Sequence, residues 1–261
     1  MAELPGDLVA ALRALAGRGR PLVALDFDGT LAPLQDDPSA SRMVPAARTA
    51  LERLASVAGD DAPVLALVSG RSVAELHELS RMPAGTALVG SHGAERARVT
   101  ADGLEHDPVR LDDDQRARLD ELGAAAHALA QGRDGVWVES KPAAVVVHTR
   151  RAARDVAAPV EQEALALGER LGSRVLHGKD VVEISVLEAS KGQALTGLRE
   201  EAGAHGVLYA GDDVTDEHAF EALGADDVTV KVGDGDTVAR FRVHDADEVA
   251  AVLDALADAL A

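Results

Sequence analysis

Three short apolar segments set the pattern of the outer parts of the chain. They cover residues 21–26, 64–68 and 207–210, and each ends in small or polar residues. A continuous apolar run of this length is typical of a β-strand that is buried on both faces. Helical periodicity over residues 8–16 precedes the first run, and further helical stretches precede the other two. This alternation predicts a Rossmann-like parallel sheet flanked by helices, which is an α/β fold.

Local signals place the starts of two helices in this part of the chain. Pro45 is well suited to the first turn of one helix, and Ser72 with Glu75 has the spacing of a capping box for the next. In open parallel sheets, ligands bind beyond the carboxyl ends of the strands. We therefore expect the reactive residues to lie directly after the three apolar runs.

The middle of the chain breaks this alternation. Asp102-Gly103 has the composition of a hairpin turn. The elements predicted after it are a polar helix over 112–130, strands over 136–141 and 143–150, a helix over 151–171, and strands over 174–177 and 181–186. We therefore predict a discontinuous core domain, residues 1–104 and 188–261, with an inserted α+β cap domain over residues 105–187.

Composition and charge restrict the classes of partner. The chain has 261 residues, of which 47% are apolar and 27% are charged, so it is expected to fold around a substantial core. Its formal net charge of -19 disfavours nucleic acids and anionic membrane surfaces as partners. An anionic substrate would require a local cluster of bases or a metal ion. Because only 2% of the residues are aromatic, ligand recognition is expected to be mainly polar.

The chain contains no cysteine, which excludes disulfides and thiolate metal sites and fits a reducing compartment. Its first 20 residues lack the pattern of a signal peptide, and no segment approaches the roughly 20 apolar residues that span a bilayer. We therefore expect a cytoplasmic protein that does not contact membranes. No obligate protein partner is evident.

The segment Asp26-Phe27-Asp28-Gly29-Thr30 follows the first buried strand. Gly29 allows the chain to turn, so that the carboxylates of Asp26 and Asp28 can face one small volume. A phosphoryl-transfer site uses such a pair as nucleophile and as proton donor to the leaving oxygen. The alternative is that Asp and Gly are ordinary turn residues at a strand end.

The segment 211–217, Gly-Asp-Asp-Val-Thr-Asp-Glu, ends the last apolar run in the same way. Carboxylate oxygens at a strand end suit Mg²⁺, which binds a few carboxylates together with waters and phosphate oxygens. The alternative is a helix N-cap, with Asp216 and Glu217 interacting with the helix dipole. The two roles are compatible.

Two further segments are suited to binding phosphate. Ser69-Gly70-Arg71 ends the second apolar run, where a hydroxyl and backbone N–H groups at a helix start form a phosphate site. Lys191 stands at the head of a helix, where a cation is unfavourable for the macrodipole. That position is explained if Lys191 faces a phosphate and a metal ion, although a solvated surface lysine is the commoner case.

Taken together and in their order along the chain, the four segments resemble the four motifs of the haloacid-dehalogenase phosphatases. The resemblance implies that Asp26 is the nucleophile, forming an aspartyl-phosphate, and that Asp28 is the general acid and base. The implied Mg²⁺ ligands are Asp26, the Asp28 backbone carbonyl and Asp212, with Asp213 or Asp216 acting through water. The implied phosphate-binding residues are Thr30, Ser69, Gly70, Arg71 and Lys191.

Substrate choice is expected to come from the cap domain, because the core motifs read only phosphate. Glu139 and Lys141, and likewise His148 and Arg150, are two residues apart on predicted strands, so each pair shares a face. Such a face is suited to hydrogen-bonding many hydroxyls. The alternative is a set of cross-strand salt bridges on a solvated sheet.

At these positions the chain is similar to the trehalose-6-phosphate phosphatase family. The matching motifs are Glu139-x-Lys141 with His148-x-Arg150, Gly90-Ser91-His92-Gly93, Gly178-Lys179 with Glu183, and Gly-Asp-Asp-x-Thr-Asp-Glu from Gly211. The implied reaction is hydrolysis of trehalose 6-phosphate to trehalose and phosphate, the last step of trehalose biosynthesis, by a stand-alone phosphatase. The implied sugar-binding residues are His92, Glu139, Lys141, His148, Arg150, Lys179 and Glu183.

Two other functions stay open from the sequence. One is a related capped phosphatase that acts on sucrose 6-phosphate or on a hexose phosphate, against which the cap motifs argue. The other is a sugar-phosphate sensor without catalytic activity, which the intact set of Asp26, Asp28, Lys191 and Asp212 disfavours.

Overall fold

The helices and strands are taken from a computed structural model that describes residues 4–187 and 189–261. In chain order the helices and strands are α1 (Gly6–Ala16), β1 (Leu22–Leu25), α2 (Pro45–Ser56), β2 (Val64–Val68), α3 (Val73–Ser80), β3 (Ala87–Gly90), β4 (Glu95–Thr100), β5 (Gly103–Asp107), α4 (Asp113–Ala130), β6 (Trp137–Ser140), β7 (Ala144–His148), α5 (Arg154–Arg170), β8 (Arg174–Gly178), β9 (Val181–Ser185), α6 (Lys191–Ala202), β10 (Val207–Gly211), α7 (Val214–Glu221), β11 (Val228–Val232), β12 (Phe241–Val243) and α8 (Ala246–Leu260).

The three apolar runs of the sequence form the centre of the larger sheet. Within the described residues this sheet has eight strands in the order β12-β11-β10-β1-β2-β3-β4-β5. The first six are parallel, and the β4–β5 hairpin adds an antiparallel edge. The predicted α/β class is thereby confirmed. Because β10, β1 and β2 are neighbours, the segments that follow them emerge side by side.

Both faces of this sheet are buried under helices. Residues Val23 and Leu25 of β1 lie in one apolar cluster, with residues of α1, α2 and α8. Residues Leu22 and Ala24 point the other way, into a cluster with α6 and α7. Full burial of one such leucine contributes about 2 kcal/mol. This two-sided packing fixes the strand ends that carry the polar segments.

The second sheet has four antiparallel strands, among the described residues, in the order β6-β7-β9-β8. Helices α4 and α5 pack against this sheet and against each other. On the covered face, a Cβ at Gly168 of α5 would meet the side chains of Val175 and Ile184. The opposite face carries the polar residues that the sequence singles out in the cap.

The division of the chain corrects one predicted boundary. The first compact unit runs to Asp107 and resumes at Ala189, and the second begins at Pro108. The predicted boundary after residue 104 cuts β5, which pairs with β4 as far as Arg96 opposite Asp107. Those ladder hydrogen bonds keep 105–107 in the core sheet. At the other boundary, residue 188 lies outside the described residues.

None of the helices in 4–187 and 189–261 combines the length and apolar character that a membrane crossing needs.

Candidate active site

The chain turns sharply after β1 and brings two polar segments together. Leu31 and Ala32 donate their backbone N–H groups to the Phe27 carbonyl, which closes the turn. Gly29 has a φ of 76°, and a Cβ there would lie 2.0 Å from Asp212 Oδ2. Only glycine can occupy this position without displacing Asp212.

Three predicted carboxylates meet beside one buried lysine. One oxygen from each of Asp26, Asp212 and Asp216 lies within 4.8 Å of the others. Lys191 Nζ is 3.2 Å from Asp26 Oδ1 and 2.7 Å from Asp216 Oδ1. The structure therefore places Lys191 against two of the predicted metal-binding carboxylates, and its contact with phosphate stays a prediction.

Asp216 organises the segment after β10. Its Oδ2 accepts hydrogen bonds of 3.0 Å from the backbone N–H groups of Asp212 and Asp213. Its Oδ1 accepts from Lys191 and, at 2.6 Å, from the hydroxyl of the buried Tyr209. Asp213 is the N-cap of α7, so the capping alternative holds for this residue. Of the two candidates for outer metal partner, Asp216 is the one in the acidic group.

Burial and the neighbouring charges shift the pKa values in this cluster. Burial raises the pKa of Asp26 well above its ordinary value, and the other carboxylates add to this effect against the opposing Lys191. Burial, with Asp216 and Asp213, raises the pKa of Asp212 to about 6. Burial alone would lower the pKa of Lys191, but Asp26 and Asp216 raise it above its ordinary range. Lys191 is therefore a permanent cation.

The donor set fits a divalent cation. Three carboxylates and one lysine leave an excess of negative charge in a buried space, which a divalent ion would offset. The ligand atoms are hard oxygens, the type that Mg²⁺ prefers. Lys231 supports this arrangement because its Nζ donates to the Asp212 backbone carbonyl at 2.5 Å and lies 3.5 Å from Glu217.

Replacing Asp212 by asparagine is expected to stabilise the metal-free protein while abolishing metal binding. The pKa of Asp212 rises from 3.8 to about 6 on folding, so its charge destabilises the fold above pH 6 and has no effect below about pH 4. The gain in free energy of unfolding at pH 8 should be about 1 to 2 kcal/mol. A pKa shift of one unit corresponds to about 1.4 kcal/mol, and the partial exposure of Asp212 to solvent reduces the effect of its charge. Urea unfolding in EDTA at pH 8 and pH 4 measures this.

Asp213→Asn is the matched control. Burial alone would raise the pKa of Asp213. The positive charge of Lys191 and hydrogen bonds from Thr215 outweigh burial and lower this pKa below its ordinary value. Its charge therefore stabilises the fold at pH 8, and the control should reduce stability there. Equal stability changes for the two variants, or an Asp212→Asn gain that persists at pH 4, would contradict this electrostatic account.

Asp28 is held by a contact that the sequence did not predict. Arg71 Nε donates to Asp28 Oδ2 at 2.5 Å and its Nη2 donates to Oδ1 at 2.7 Å. Ser41 adds a hydrogen bond of 2.8 Å to Oδ1. We predicted Arg71 as a phosphate ligand, which stays a prediction; in this structure its guanidinium binds the carboxylate of the predicted general acid. A bidentate arginine–carboxylate pair also sets the orientation of the carboxylate.

Two predicted phosphate ligands line the same end of the sheet. Thr30 is fully buried, and among the described residues its Oγ1 has no hydrogen-bond partner. A buried hydroxyl without a partner is costly, so a ligand oxygen at this point would remove the cost. Ser69 is buried at the end of β2, where its Oγ accepts from the Arg71 backbone N–H at 3.2 Å.

The loop around His92 packs against the two predicted phosphate-binding segments, at Gly70 and at Ser190. Ser91 and His92 have φ values of 48° and 54°. A Cβ at Gly70 would lie 2.6 Å from the His92 ring, and a Cβ at Gly93 would lie 2.8 Å from the Ser190 carbonyl. These glycines therefore allow the His92 loop to lie against both segments, and contact of His92 with the sugar stays a prediction.

In the second unit, four predicted sugar-binding residues form two side-chain pairs, one a hydrogen bond between Glu139 and His148 and the other a salt bridge between Lys141 and Glu183. Glu139 Oε2 is 2.9 Å from His148 Nε2, and Lys141 Nζ is 2.8 Å from Glu183 Oε2. Both pairs lie on the sheet face opposite the helices. Cross-strand pairing of the kind that the sequence left as an alternative is thus present.

The predicted strands of this unit are too long at their ends. β6 stops at Ser140 and β7 at His148, so Lys141 and Arg150 lie just outside them. Arg150 and Lys179 are exposed, and no ion pair of either is found in the part of the chain that the structure describes. Lys179 lies in the turn between β8 and β9.

Three supporting residues were missed from the sequence. Tyr209 and Lys231 lie in the buried strands β10 and β11 and contact the acidic group through Asp216 and Asp212. A polar side chain inside an apolar strand was the available signal for both. Ser41 lies in a loop without a distinctive pattern, and nothing in the sequence marks it.

Comparisons with known proteins agree with this geometry. A model of the trehalose-phosphatase family matches residues 24–246. The trehalose-phosphate phosphatase of Mycobacterium marinum is 36% identical over 280 residues, covering 100% of this chain and 67% of that protein. That of Mycobacterium avium is 39% identical over 236 residues, covering 85% of this chain and 57% of that protein. The chain thus spans about two thirds or less of the length of these relatives.

Among solved structures, the C-terminal domain of trehalose-6-phosphate phosphatase from C. albicans has a TM-score of 0.73 with this chain. It is 22% identical, and the match covers 97% of each chain. This likeness shows that the fold is shared over almost the whole chain.

Proposed function

Because the chain belongs to the trehalose-phosphatase family, we propose that it hydrolyses trehalose 6-phosphate to trehalose and phosphate. The predicted family and the haloacid-dehalogenase type of fold are confirmed, and the family consists of phosphoric monoester hydrolases. The observation that carries the proposal is the buried carboxylate of Asp26, paired with Lys191 at the carboxyl end of β1. A carboxylate held beside a permanent cation is suited to attack on a phosphoryl group.

In the first step, a carboxylate oxygen of Asp26 bonds to phosphorus while the bond from phosphorus to the sugar oxygen breaks. Asp28 donates a proton to that oxygen, and trehalose leaves. In the second step, a water molecule gives a proton to Asp28 and attacks phosphorus. The acyl-phosphate bond then breaks, which releases phosphate and restores Asp26.

The roles of the surrounding residues follow from their charges. Lys191 offsets the negative charge on the phosphoryl oxygens, and Thr30 and Ser69 offer hydroxyl groups to them. Bound Mg²⁺ would neutralise further charge on the same oxygens. Its proposed holders are Asp26, the Asp28 carbonyl and Asp212, with Asp216 or Asp213 through water.

Arg71→Lys is expected to lower kcat for trehalose 6-phosphate by about ten- to a hundredfold, because lysine cannot hold Asp28 through two hydrogen bonds. The loss in kcat/KM, which reports only the steps up to release of the alcohol and not the later attack of water, should be much smaller with p-nitrophenyl phosphate, whose leaving group does not need a proton. Steady-state kinetics with both esters measures the difference. Ser41→Ala should show the same pattern more weakly. Equal losses on the two esters would contradict the positioning of a proton donor.

We assign the sugar part of the substrate to Glu139, Lys141, His148, Arg150, Lys179 and Glu183 of the second unit, with His92 of the core. Hydrogen-bonding sites discriminate strongly between sugars, because a wrong sugar leaves buried polar groups without partners. The two side-chain pairs on the open sheet face support this assignment, since each pair holds two polar side chains next to each other.

The test is release of phosphate from trehalose 6-phosphate, sucrose 6-phosphate, glucose 6-phosphate and mannose 6-phosphate, each with Mg²⁺ and with EDTA. We expect turnover of trehalose 6-phosphate alone, and only with the metal. Preference for another ester would leave the core chemistry intact but reject the sugar assignment. No turnover of any ester with Mg²⁺ would favour a sensor that binds without hydrolysis.

Several finer statements stay predictions from the sequence. These are the place of the reaction as the last step of trehalose biosynthesis, a cytoplasmic location, and independence from nucleic acids, membranes and an obligate protein partner.

A further inference from the structure

The only tryptophan of the chain lies on the same sheet face as the proposed sugar-binding residues. Trp137 opens β6, directly opposite His148 of β7 in the strand register. The two rings are stacked, with centroids 4.6 Å apart and planes inclined by 6°. Directly opposed aromatic residues are a stabilising cross-strand pair.

The indole is itself held in place. The Arg151 guanidinium carbon is 5.2 Å from its centroid, within the range of a cation–π contact. The backbone fixes this segment against the start of β6, because a Cβ at Gly135 would lie 2.1 Å from the Arg151 carbonyl. Trp137 is nevertheless 36% exposed, and the ring contacts found for it among the described residues are those with this arginine and the imidazole.

The imidazole of His148 is therefore constrained in two ways. Glu139 binds Nε2 at 2.9 Å, which fixes one nitrogen. A single hydrogen bond still leaves the ring some rotation about its Cβ–Cγ bond, and the stacked indole reduces that rotation by fixing the plane. Nδ1 then points in one direction and can hydrogen-bond a hydroxyl group placed there.

We propose that Trp137 is a positioning residue, which holds the His148 ring for recognition of a hydroxyl of the sugar. This inference rests on the proposed function and refines it. An ordered side chain loses less entropy when the ligand binds, so the stacking contributes to affinity for the sugar rather than to the chemical step. The scarcity of aromatic residues led us to expect mainly polar recognition; in this arrangement one aromatic residue acts through a polar one.

The test compares Trp137→Leu with Trp137→Phe. Leucine keeps an apolar side chain but has no flat surface, whereas phenylalanine keeps the flat ring. We expect the KM for trehalose 6-phosphate to rise about tenfold in the leucine variant, the effect of one lost hydrogen bond, with kcat within about twofold. The phenylalanine variant should stay close to wild type. Neither should change hydrolysis of p-nitrophenyl phosphate, which has no sugar.

A double-mutant cycle with His148→Ala separates positioning from a general structural role. If Trp137 acts through His148, the double variant should be no weaker than His148→Ala alone. Additive losses, or a leucine variant equal to wild type, would overturn the inference while leaving the proposed function intact. Absence of trehalose 6-phosphate turnover by the wild-type protein would overturn both. Trp137→Thr, which suits an exposed edge strand, repeats the comparison if the leucine variant melts early.

Discussion

Asp26→Asn is expected to lower kcat for trehalose 6-phosphate by about 10⁴-fold or more, because the amide has no nucleophilic oxygen anion. The variant should still fold, since asparagine has nearly the same shape. Burial and neighbouring carboxylates raise the pKa of Asp26, so its charge destabilises the metal-free fold at neutral pH. The Asn variant should therefore be at least as stable as wild type in EDTA.

The kinetic comparison needs a control for the general effect of removing a carboxylate. Asp114→Asn changes an exposed residue in the first turn of α4 and should leave both kcat and KM close to wild type. Residual turnover by Asp26→Asn at more than a few per cent of wild type would assign the nucleophile to another group.

Lys191→Met is expected to reduce both activity and stability. The ammonium group is almost fully buried and contacts the carboxylates of Asp26 and Asp216. Its removal leaves buried like charges without a counter-ion, which costs about 3 to 5 kcal/mol of unfolding free energy. The loss of transition-state charge stabilisation should lower kcat by about 10² to 10³-fold.

The stability loss should depend on pH and on metal. At acid pH the neighbouring carboxylates take up protons, Asp212 at about pH 6, so the loss should shrink as the pH falls. Excess Mg²⁺ should restore part of it by supplying positive charge. Urea unfolding of both proteins at pH 8 and pH 5 measures this, with Lys179→Met as an exposed-lysine control for stability. A loss independent of pH would indicate a packing defect instead.

The central strands could be predicted because burial on both faces makes them continuous apolar runs. β11 was harder to find, since Thr229 and Lys231 interrupt its apolar pattern. Lys231 interrupts it because the side chain supports the Asp212 loop. Lys231 therefore made β11 harder to recognise from the sequence, because its role beside the site requires a charged side chain within the strand.

The positions of the proposed catalytic carboxylates could be predicted because they directly follow strands, where local sequence fixes position. The partner of Arg71 could not, because Asp28 is 43 residues away along the chain and the contact depends on the packing of two adjacent strands. Trp137 was missed for a different reason. Its role depends on the register of β6 and β7, which pairs it with His148, and the amino-acid composition does not contain that information.

The most direct measurement of the central claim is trapping of the aspartyl-phosphate. An acyl phosphate reacts with hydroxylamine to give a stable hydroxamate, which accumulates over many turnovers. We expect the protein to lose activity in hydroxylamine only when trehalose 6-phosphate and Mg²⁺ are both present, and mass spectrometry to locate the hydroxamate at Asp26. Sustained turnover in hydroxylamine, or a hydroxamate at another residue, would contradict Asp26 as the nucleophile.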